Sequence, residues 1–250
     1  MPLISILTPA YNAAVTLAET AESIFAQRFT DWEWCVVDDA STDGTAEIIR
    51  RYAAKDSRIK PIFHENNDGA PAAAQAALAL AGGRYVTVLD ADDYWLPEKL
   101  SRQLAFMQKK NAALSFTAHR RMNENGKKLG PIIHPPAKLA YRDLLKNTAM
   151  PNSSMMVDRQ ITGPFNFRQV NYYDFATWLS LMAQGHVAYG LDEDLLRYRV
   201  RRHSLSSNKL KAIAKVWHIY RGVEKLPLGY SVYCLLSYGA HALAKRAGSP

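Results

Sequence analysis

Short apolar runs typical of buried β-strands alternate with helical patterns along the first part of this 250-residue chain. The strand patterns occupy residues 3–7, 34–37, 59–63, 85–89 and 113–117. The helical patterns lie between them, at about residues 15–26, 45–55, 71–81 and 97–110. Strands and helices that alternate in this way predict right-handed βαβ crossovers. We therefore predict an α/β fold over residues 1–118, with a doubly wound, mostly parallel sheet flanked by helices.

The composition indicates a folded protein with a large core. Hydrophobic residues make up 48% of the chain and charged residues 22%, which excludes disordered and low-complexity classes. The two cysteines, Cys35 and Cys234, form no C-x-x-C pair, so we expect no disulfide framework and no cysteine-rich zinc site. No basic leader precedes the first strand pattern, and no run approaches the roughly 18 apolar residues that cross a bilayer. We therefore expect a cytoplasmic protein without a membrane span.

Polar and acidic segments follow three of the predicted strands, at residues 8–12, 38–43 and 90–93. Ligands of doubly wound sheets bind at the carboxyl ends of the strands, so these segments are the candidate site. The first segment reads Thr-Pro-Ala-Tyr-Asn, which lacks the G-x-G-x-x-G of a dinucleotide site, and the chain has no P-loop sequence. Another group must therefore neutralise any phosphate in the ligand.

Asp90 and Asp92 are the natural candidates for holding that neutralising group. Two carboxylates separated by one residue at a strand end can converge on Mg²⁺ or Mn²⁺, and such a cation can bridge a diphosphate. A D-x-D sequence is equally typical of a solvated turn after a strand. The pair by itself leaves both alternatives open.

Three segments, in this order and spacing, resemble the large family 2 of inverting glycosyltransferases, which have the GT-A fold. They are residues 4–12 (ISILTPAYN), 36–45 (VVDDASTDGT) and 85–100 (YVTVLDADDYWLPEKL). Residues 141–148 (YRDLLKNT) and 198–210 (YRVRRHSLSSNKL) look like the bacterial branch that builds teichuronic acid, O-antigen and capsule polysaccharides. The resemblance implies a Rossmann-like GT-A domain that binds a nucleoside-diphosphate sugar.

The resemblance also implies roles in the donor site. Four residues match those that hold the nucleotide base: Thr8, Pro9, Tyr11 and Asp39. In uridine-dependent members the aspartate accepts a hydrogen bond from the uracil ring. Asp90 matches a residue near the ribose and diphosphate, and Asp92 matches the ligand of Mn²⁺ or Mg²⁺. The metal stabilises the departing nucleoside diphosphate, because negative charge grows on the leaving oxygen as the C1 bond breaks.

An inverting displacement also needs a carboxylate that takes the proton from the acceptor hydroxyl. The segment 171–179 (NYYDFATWL) matches the acidic motif that precedes a Trp-Leu helix start in the family. It keeps the aspartate four residues before the tryptophan as Asp174, whereas Tyr173 replaces the neighbouring acidic residue. The resemblance implies that Asp174 is the catalytic base. The alternative is that Asp174 caps a helix over residues 175–183.

A basic cluster follows in the sequence. His203 matches a histidine that meets the metal or diphosphate in some relatives, and the alternative is a structural or solvated side chain. Arg199, Arg201 and Arg202 are candidates for binding diphosphate, or else form a solvated basic face.

One position departs from the family pattern. Relatives usually carry an Arg-Asn pair in the helix after the third strand, where this chain has Ala74 and Gln75. Gln75 can make much of the same amide hydrogen bonding, but Ala74 cannot supply a cation to the donor phosphates. We therefore expect another cation to substitute, or donor affinity to be reduced.

The positive charge of the chain lies at its C-terminus. Residues 1–196 contain 20 Lys/Arg and 22 Asp/Glu, a net charge of −2, whereas residues 197–250 contain 11 and one, a net charge of +10. Aromatic and basic residues are mixed over residues 209–246, which is typical of a helix lying on an anionic membrane. A helical cover or oligomer contact is a second interpretation. Nucleic-acid binding is a third, but no RNA-binding motif accompanies the segment.

The residues and the resemblance together predict a metal-dependent, inverting glycosyltransferase. Its donor is a nucleoside-diphosphate sugar, for which we expect UDP, and its acceptor is a growing bacterial surface glycan on a polyprenyl-diphosphate carrier. We assign residues 1–118 to the nucleotide-sugar-binding half, residues 119–208 to the acceptor half and residues 209–250 to a helical appendage on the inner face of the membrane. A catalytically degenerate sugar-nucleotide-binding or scaffolding homologue is the alternative.

Overall fold

The computed structural model describes residues 2–147, 149–200 and 209–246, with the side chains of all these residues except 209–211 and 242–246. Its strands are β1 (Ile4–Ala10), β2 (Trp32–Asp38), β3 (Ile59–Phe63), β4 (Tyr85–Val88), β5 (Tyr94–Trp95), β6 (Leu114–Met122), β7 (Leu129–Ile133), β8 (Lys138–Leu139), β9 (Met156–Asp158) and β10 (Ala188–Arg199). Its α-helices are α1 (Leu17–Phe25), α2 (Thr45–Ala53), α3 (Ala70–Leu80), α4 (Lys99–Lys110), α5 (Tyr141–Leu144), α6 (Arg159–Thr162), α7 (Tyr173–Ala183), α8 (Lys209–His218) and α9 (Leu228–Arg246). A 3₁₀ turn covers Asn152–Ser154, and a π-helical turn covers Ile219–Val223.

The strands and helices predicted over residues 1–118 are all present, in the predicted order. Strands β3, β2, β1 and β4 lie side by side and are parallel. Strand β3, which contains Pro61, lies at the end of the sheet, as the proline indicated. The predicted α/β fold class is confirmed.

The carboxyl ends of β1 and β4 diverge, and we call the space between them the crevice. Strand β1 pairs with β2 as far as Ala10, but it pairs with β4 only as far as Leu7. The backbone at Leu7 faces β4, since its carbonyl accepts a hydrogen bond from the N–H of Leu89 at 2.9 Å. Pro9, two residues further along, faces the same side. Because β1 no longer pairs with β4 at this position, the missing N–H of the proline removes no hydrogen bond from the sheet. The crevice is the topological switch point at which α/β sheets bind ligands.

The second half of the chain completes the sheet. Strand β9 lies between β4 and β6 and is antiparallel to both, while β10 is parallel to β6. Strands β5, β7 and β8 add short antiparallel edges. Consequently β1, β2, β3, β4, β6 and β10 run in one direction and β5, β7, β8 and β9 in the other, so the sheet is mostly parallel, as predicted.

Helices cover both faces of the sheet, as a doubly wound fold requires. One core cluster joins alternate residues of the strands, such as Ile6 of β1, to α1, α2 and α4. The other joins the intervening residues, such as Leu7, to α3, α7 and the C-terminal helices.

The C-terminal helices pack on the second of these faces. Their buried residues in this cluster are Val216, Ile219, Tyr220, Leu226 and Cys234. The helical cover that was one interpretation of the basic tail is therefore present. Among the described residues, none of the helices combines the length and apolar character that crossing a membrane requires.

Candidate functional site

The D-x-D segment lies directly after β4, at the crevice between β1 and β4. The backbone N–H of Asp90 donates to Ser153 Oγ at 3.1 Å, and the Asp90 carboxylate accepts a hydrogen bond from Asn152 Nδ2 at 3.0 Å. Both partners belong to the 3₁₀ turn that precedes β9. Asp90 and Asp92 stay partly exposed. The turn therefore holds the backbone of the segment, and both residues remain partly exposed at the crevice.

Asp93, the third acidic residue, is buried and has a structural environment. Its carboxylate accepts hydrogen bonds from Ser153 Oγ at 2.6 Å and from the backbone N–H of Arg199 at 2.7 Å. Burial raises the pKa of Asp93 well above its ordinary value, and the charges of Asp92 and Asp90 raise it further. Asp93 thus joins the D-x-D turn to the end of β10 and is not a free ligand.

Arg199 supports the same turn from behind. Its buried guanidinium donates from Nε to the carbonyl of Asp92 at 2.7 Å and from Nη1 to the carbonyl of Glu124 at 2.9 Å. It also forms an ion pair with Glu19 on α1. These contacts engage the Arg199 head group within the protein. Neither alternative for Arg199, diphosphate binding or a solvated basic face, matches this environment, because the buried guanidinium positions the backbone of the D-x-D segment instead.

Asp174 lies in the first turn of α7, which begins at Tyr173. The N-cap position is Tyr172, in the left-handed region at φ 57°, so the expected helix start at residue 175 was two residues late and Asp174 is not the N-cap. Burial raises the pKa of Asp174, and the backbone N–H groups of Phe175 and of Asp174 itself partly offset this effect. Asp174 keeps part of its surface exposed. A half-buried carboxylate with a raised pKa suits a proton acceptor.

The structure brings Asp174 and the D-x-D carboxylates into one cluster. Burial, together with the charges of Asp92 and Asp174, raises the pKa of Asp90 to about 7. Asn152 connects the two parts physically, since its Nδ2 also lies 3.3 Å from the hydroxyl of Tyr173. The start of α7 is thereby held against the end of β4.

The donor set fits a hard divalent cation. Asp90 and Asp92 offer carboxylate oxygens, the ligands that Mg²⁺ and Mn²⁺ prefer, and a bound cation would relieve the repulsion that Asp92 and Asp174 exert on Asp90. The three do not form a preformed cage among the described residues. This is typical of Mg²⁺ sites that use one or two carboxylates and leave the other positions to water and substrate phosphate.

Asp39 follows β2 and is buried against the next loop. Its carboxylate accepts hydrogen bonds from His64 Nδ1 at 2.9 Å and from the backbone N–H groups of Asp68 at 3.0 Å and Gly69 at 2.8 Å. Gly69 has φ 89°, a conformation that favours glycine. The loop over residues 64–69 thus orients Asp39, whose contact with the nucleotide base stays a prediction.

The other residues predicted to hold the base differ in accessibility. Thr8 is fully buried, and its Oγ1 accepts a hydrogen bond from Trp34 Nε1 at 2.9 Å. Pro9 is half-buried at the crevice, and the ring of Tyr11 is 50% exposed at its rim. Tyr11 and Pro9 therefore present surface to a ligand, whereas the Thr8 side chain packs inside the protein.

The departure at positions 74 and 75 has a structural explanation. Ala74 is fully buried in the core between α3 and the sheet, so this position does not face the crevice. Gln75 accepts a hydrogen bond from the N–H of Phe167 at 2.8 Å and donates to Asn166 at 3.0 Å. Gln75 therefore connects α3 by hydrogen bonds to residues 166–167, in the segment that precedes α7. The predicted metal ligand His203, with Arg201 and Arg202, lies outside the described residues.

Several residues of the site were not found from the sequence. They are Asn152, Ser153 and, in its actual role, Arg199. Asn152 and Ser153 belong to a polar run, Pro-Asn-Ser-Ser, that has no periodic pattern of its own. Only the insertion of β9 beside β4 brings this run to the D-x-D segment.

Two known glycosyltransferases are similar to this chain along almost its whole length. TuaG of Bacillus subtilis (strain 168), a glycosyltransferase whose name assigns it to teichuronic acid biosynthesis, is 42% identical over 246 residues, which cover 98% of each chain. The UDP-Glc:alpha-D-GlcNAc-diphosphoundecaprenol beta-1,3-glucosyltransferase WfgD of Escherichia coli is 33% identical over 98% of this chain and 95% of its own.

A solved structure confirms the predicted GT-A fold. The mannosyltransferase PcManGT of Pyrobaculum calidifontis, in complex with GDP-Man and Mn²⁺, superimposes with a TM-score of 0.69 at 19% identity, covering 100% of this chain and 76% of its own. The family model for Glycosyl transferase family 2 matches residues 5–167. By this match and by its relatives, the chain belongs to glycosyltransferase family 2.

Proposed function

We propose that this glycosyltransferase moves a sugar from a UDP-sugar to a growing bacterial surface glycan on a lipid carrier, with inversion at C1 and with a divalent metal. The observation that carries the proposal is the link from Asp90 through Asn152 to Tyr173, which holds the donor-side carboxylates beside Asp174. Residues 1–118 would form the donor half and residues 119–208 the acceptor half of one domain.

The donor would lie in the crevice between β1 and β4. Asp39, oriented by the loop over residues 64–69, would accept a hydrogen bond from the uracil ring, and Pro9 and Tyr11 would contact the base. Asp90 would lie near the ribose and diphosphate. The choice of UDP is supported by WfgD, whose name specifies a UDP-Glc donor.

Asp92 would be the principal ligand of Mn²⁺ or Mg²⁺. When bound, the metal supplies positive charge beside the leaving diphosphate. Arg199 contributes indirectly, because its hydrogen bond to the Asp92 carbonyl fixes the backbone from which this carboxylate projects. The Mn²⁺ in the complex of PcManGT supports the use of a divalent metal, and the assignment of Asp92 as its ligand rests on the sequence motif.

Asp174 would act as the base. The acceptor oxygen forms a bond to C1 of the sugar on the face opposite the diphosphate, its proton passes to the Asp174 carboxylate, and the C1–O bond to the diphosphate breaks. A single displacement of this kind inverts the configuration at C1.

The acceptor would be a glycan on a polyprenyl-diphosphate carrier. WfgD is named for an acceptor linked to diphosphoundecaprenol, and the net charge of +10 over residues 197–250 favours an anionic membrane surface. We place the protein in the cytoplasm, at the inner face of the cell membrane.

A transfer assay tests this function. Purified protein, a panel of UDP-sugars and synthetic sugar-diphosphate-lipid acceptors would be incubated with Mn²⁺, and the anomeric configuration of the product would be read by NMR. We expect one donor to be consumed, with inversion and only with the divalent metal. A product with retained configuration would contradict the displacement, and donor binding without turnover would indicate the degenerate homologue.

A further inference from the structure

The outward face of α9 is apolar. The exposed fractions of its residues are 60% for Leu228, 44% for Val232, 55% for Tyr233 and 70% for Leu236. Leu228, Val232 and Leu236 are spaced by four residues, so they form one stripe along the helix. Helices at the surface of soluble proteins normally turn polar residues to water. We call these four residues the outer face of α9.

The sequence around this face carries no charge. No Asp, Glu, Lys or Arg occurs from residue 226 to residue 244. Positive residues flank the run instead, with Lys225 before the helix and Lys245 and Arg246 at its end. The one acidic residue after position 196, Glu224, accepts a hydrogen bond from the hydroxyl of Tyr141 at 2.6 Å. An apolar face between cations is complementary to an anionic lipid surface.

The inner face of α9 lies against the predicted catalytic helix. Ser231 and Cys234 are buried, and the ring of Tyr238 contacts the ring of Phe175 edge-on at a centroid distance of 5.7 Å. Phe175 follows Asp174 in α7. One helix therefore separates the outer face from the start of α7.

We propose that the outer face of α9 docks on an anionic lipid surface and holds Asp174 at a fixed height above it. This inference rests on the proposed function for the identity of its lipid-linked acceptor. Because an α-helix with its side chains is about 10 Å wide, the base would lie roughly one helix diameter above the lipid. A sugar close to the carrier diphosphate would present its hydroxyls at about that height. The docked protein would therefore favour short lipid-linked glycans.

Vesicle sedimentation tests the docking with the full chain. The wild type, the double variant Leu228→Glu/Leu236→Glu and the control Leu129→Glu would be mixed with vesicles of phosphatidylcholine, with and without phosphatidylglycerol. Leu129 is a matched control, because it is a 44% exposed leucine on β7, outside the outer face. We expect the wild type and control to bind the anionic vesicles, and the double variant to bind them at least tenfold more weakly, since burial of one leucine contributes roughly a factor of ten.

The opposite results would overturn the proposal. One is that the wild type does not bind anionic vesicles. The other is that the double variant binds them as tightly as the wild type does. A wild-type dimer that the double variant converts to a monomer, measured by light scattering, would assign the face to a second copy instead.

Two further measurements separate docking from the proposed function. Calorimetric binding of UDP with Mn²⁺ should be equal in all three proteins, because the outer face is not part of the crevice. If the double variant loses vesicle binding and retains UDP binding, it is defective only in docking. Its rate of sugar transfer to a lipid-linked acceptor in vesicles should then fall, while its rate of transfer to a water-soluble acceptor stays unchanged. If the wild type binds vesicles but no nucleotide, the proposed function fails and the docking stands.

Discussion

Replacement of the proposed base, Asp174→Asn, should abolish most of the turnover while donor binding survives. The amide has the same size as the carboxylate and can still accept a hydrogen bond from the N–H of Phe175, so α7 should keep its start. It cannot take a proton from the acceptor. General-base catalysis contributes about 10²- to 10⁴-fold, so we expect kcat to fall by this factor, equivalent to roughly 3–5 kcal/mol of barrier.

The assay measures released UDP under saturating donor and acceptor, with UDP affinity determined in parallel by calorimetry. Asp143→Asn is the matched control, because Asp143 also lies in the first turn of a helix, α5, and accepts a backbone hydrogen bond, from the N–H of Ala140 at 3.0 Å. We expect this control to retain the wild-type kcat. An Asp174→Asn variant with more than about a tenth of the wild-type kcat would refute the assignment of the base.

Three more predictions concern the supports of the site. Arg199→Lys cannot contact the carbonyls of Asp92 and Glu124 at the same time, so it should lower the free energy of unfolding in urea by about 3 kcal/mol and weaken Mn²⁺-dependent UDP binding. Unchanged values would mean that these contacts of Arg199 are dispensable. Gly69→Ala places a side chain at φ 89°, so it should lower the free energy of unfolding by about 1–2 kcal/mol. It should also weaken UDP binding, because the N–H of Gly69 orients the Asp39 carboxylate. UDP affinity equal to that of the wild type would mean that this loop does not affect the site of the base. Because burial raises the pKa of Asp174, the base should become protonated, and turnover should be lost, at a higher pH than for an ordinary aspartate. A turnover rate that stays constant down to the pH at which an ordinary aspartate is protonated would contradict this.

The sequence patterns predicted the part of the fold that local periodicity controls. The apolar runs of β1, β2 and β4 are buried on both faces of the sheet, so they stand out against the polar segments at their carboxyl ends. These segments meet at the crevice, as parallel strands require.

The later strands could not be predicted, because their stability comes from tertiary pairing. Strand β9 has only three residues and exists as the antiparallel neighbour of β4 and β6. Strand β10 is irregular where the acidic residues 192–194 interrupt its apolar pattern, and its pairing with β6 shifts register there. Local propensity carries little signal for either strand.

Part of the site could not be predicted either, because its residues are brought together by these two unpredicted strands. Without β9, nothing in the sequence brings Asn152 to Asp90. Without β10, Arg199 appears as an arginine available for phosphate, although its side chain is buried behind the D-x-D turn. The chemical type of these residues was therefore readable from the sequence, whereas their burial was not.

Calorimetric titration of nucleoside diphosphates tests the central claim most directly, namely that the crevice between β1 and β4 is a metal-dependent site for a nucleotide sugar. UDP, GDP, dTDP and CDP would be titrated into the wild type with Mn²⁺ and again with EDTA, and UDP into Asp92→Ala. We predict selective binding of UDP that requires Mn²⁺ and is lost in the Asp92 variant. Equal binding of UDP in EDTA and in Asp92→Ala, or binding of none of the nucleotides, would contradict the account.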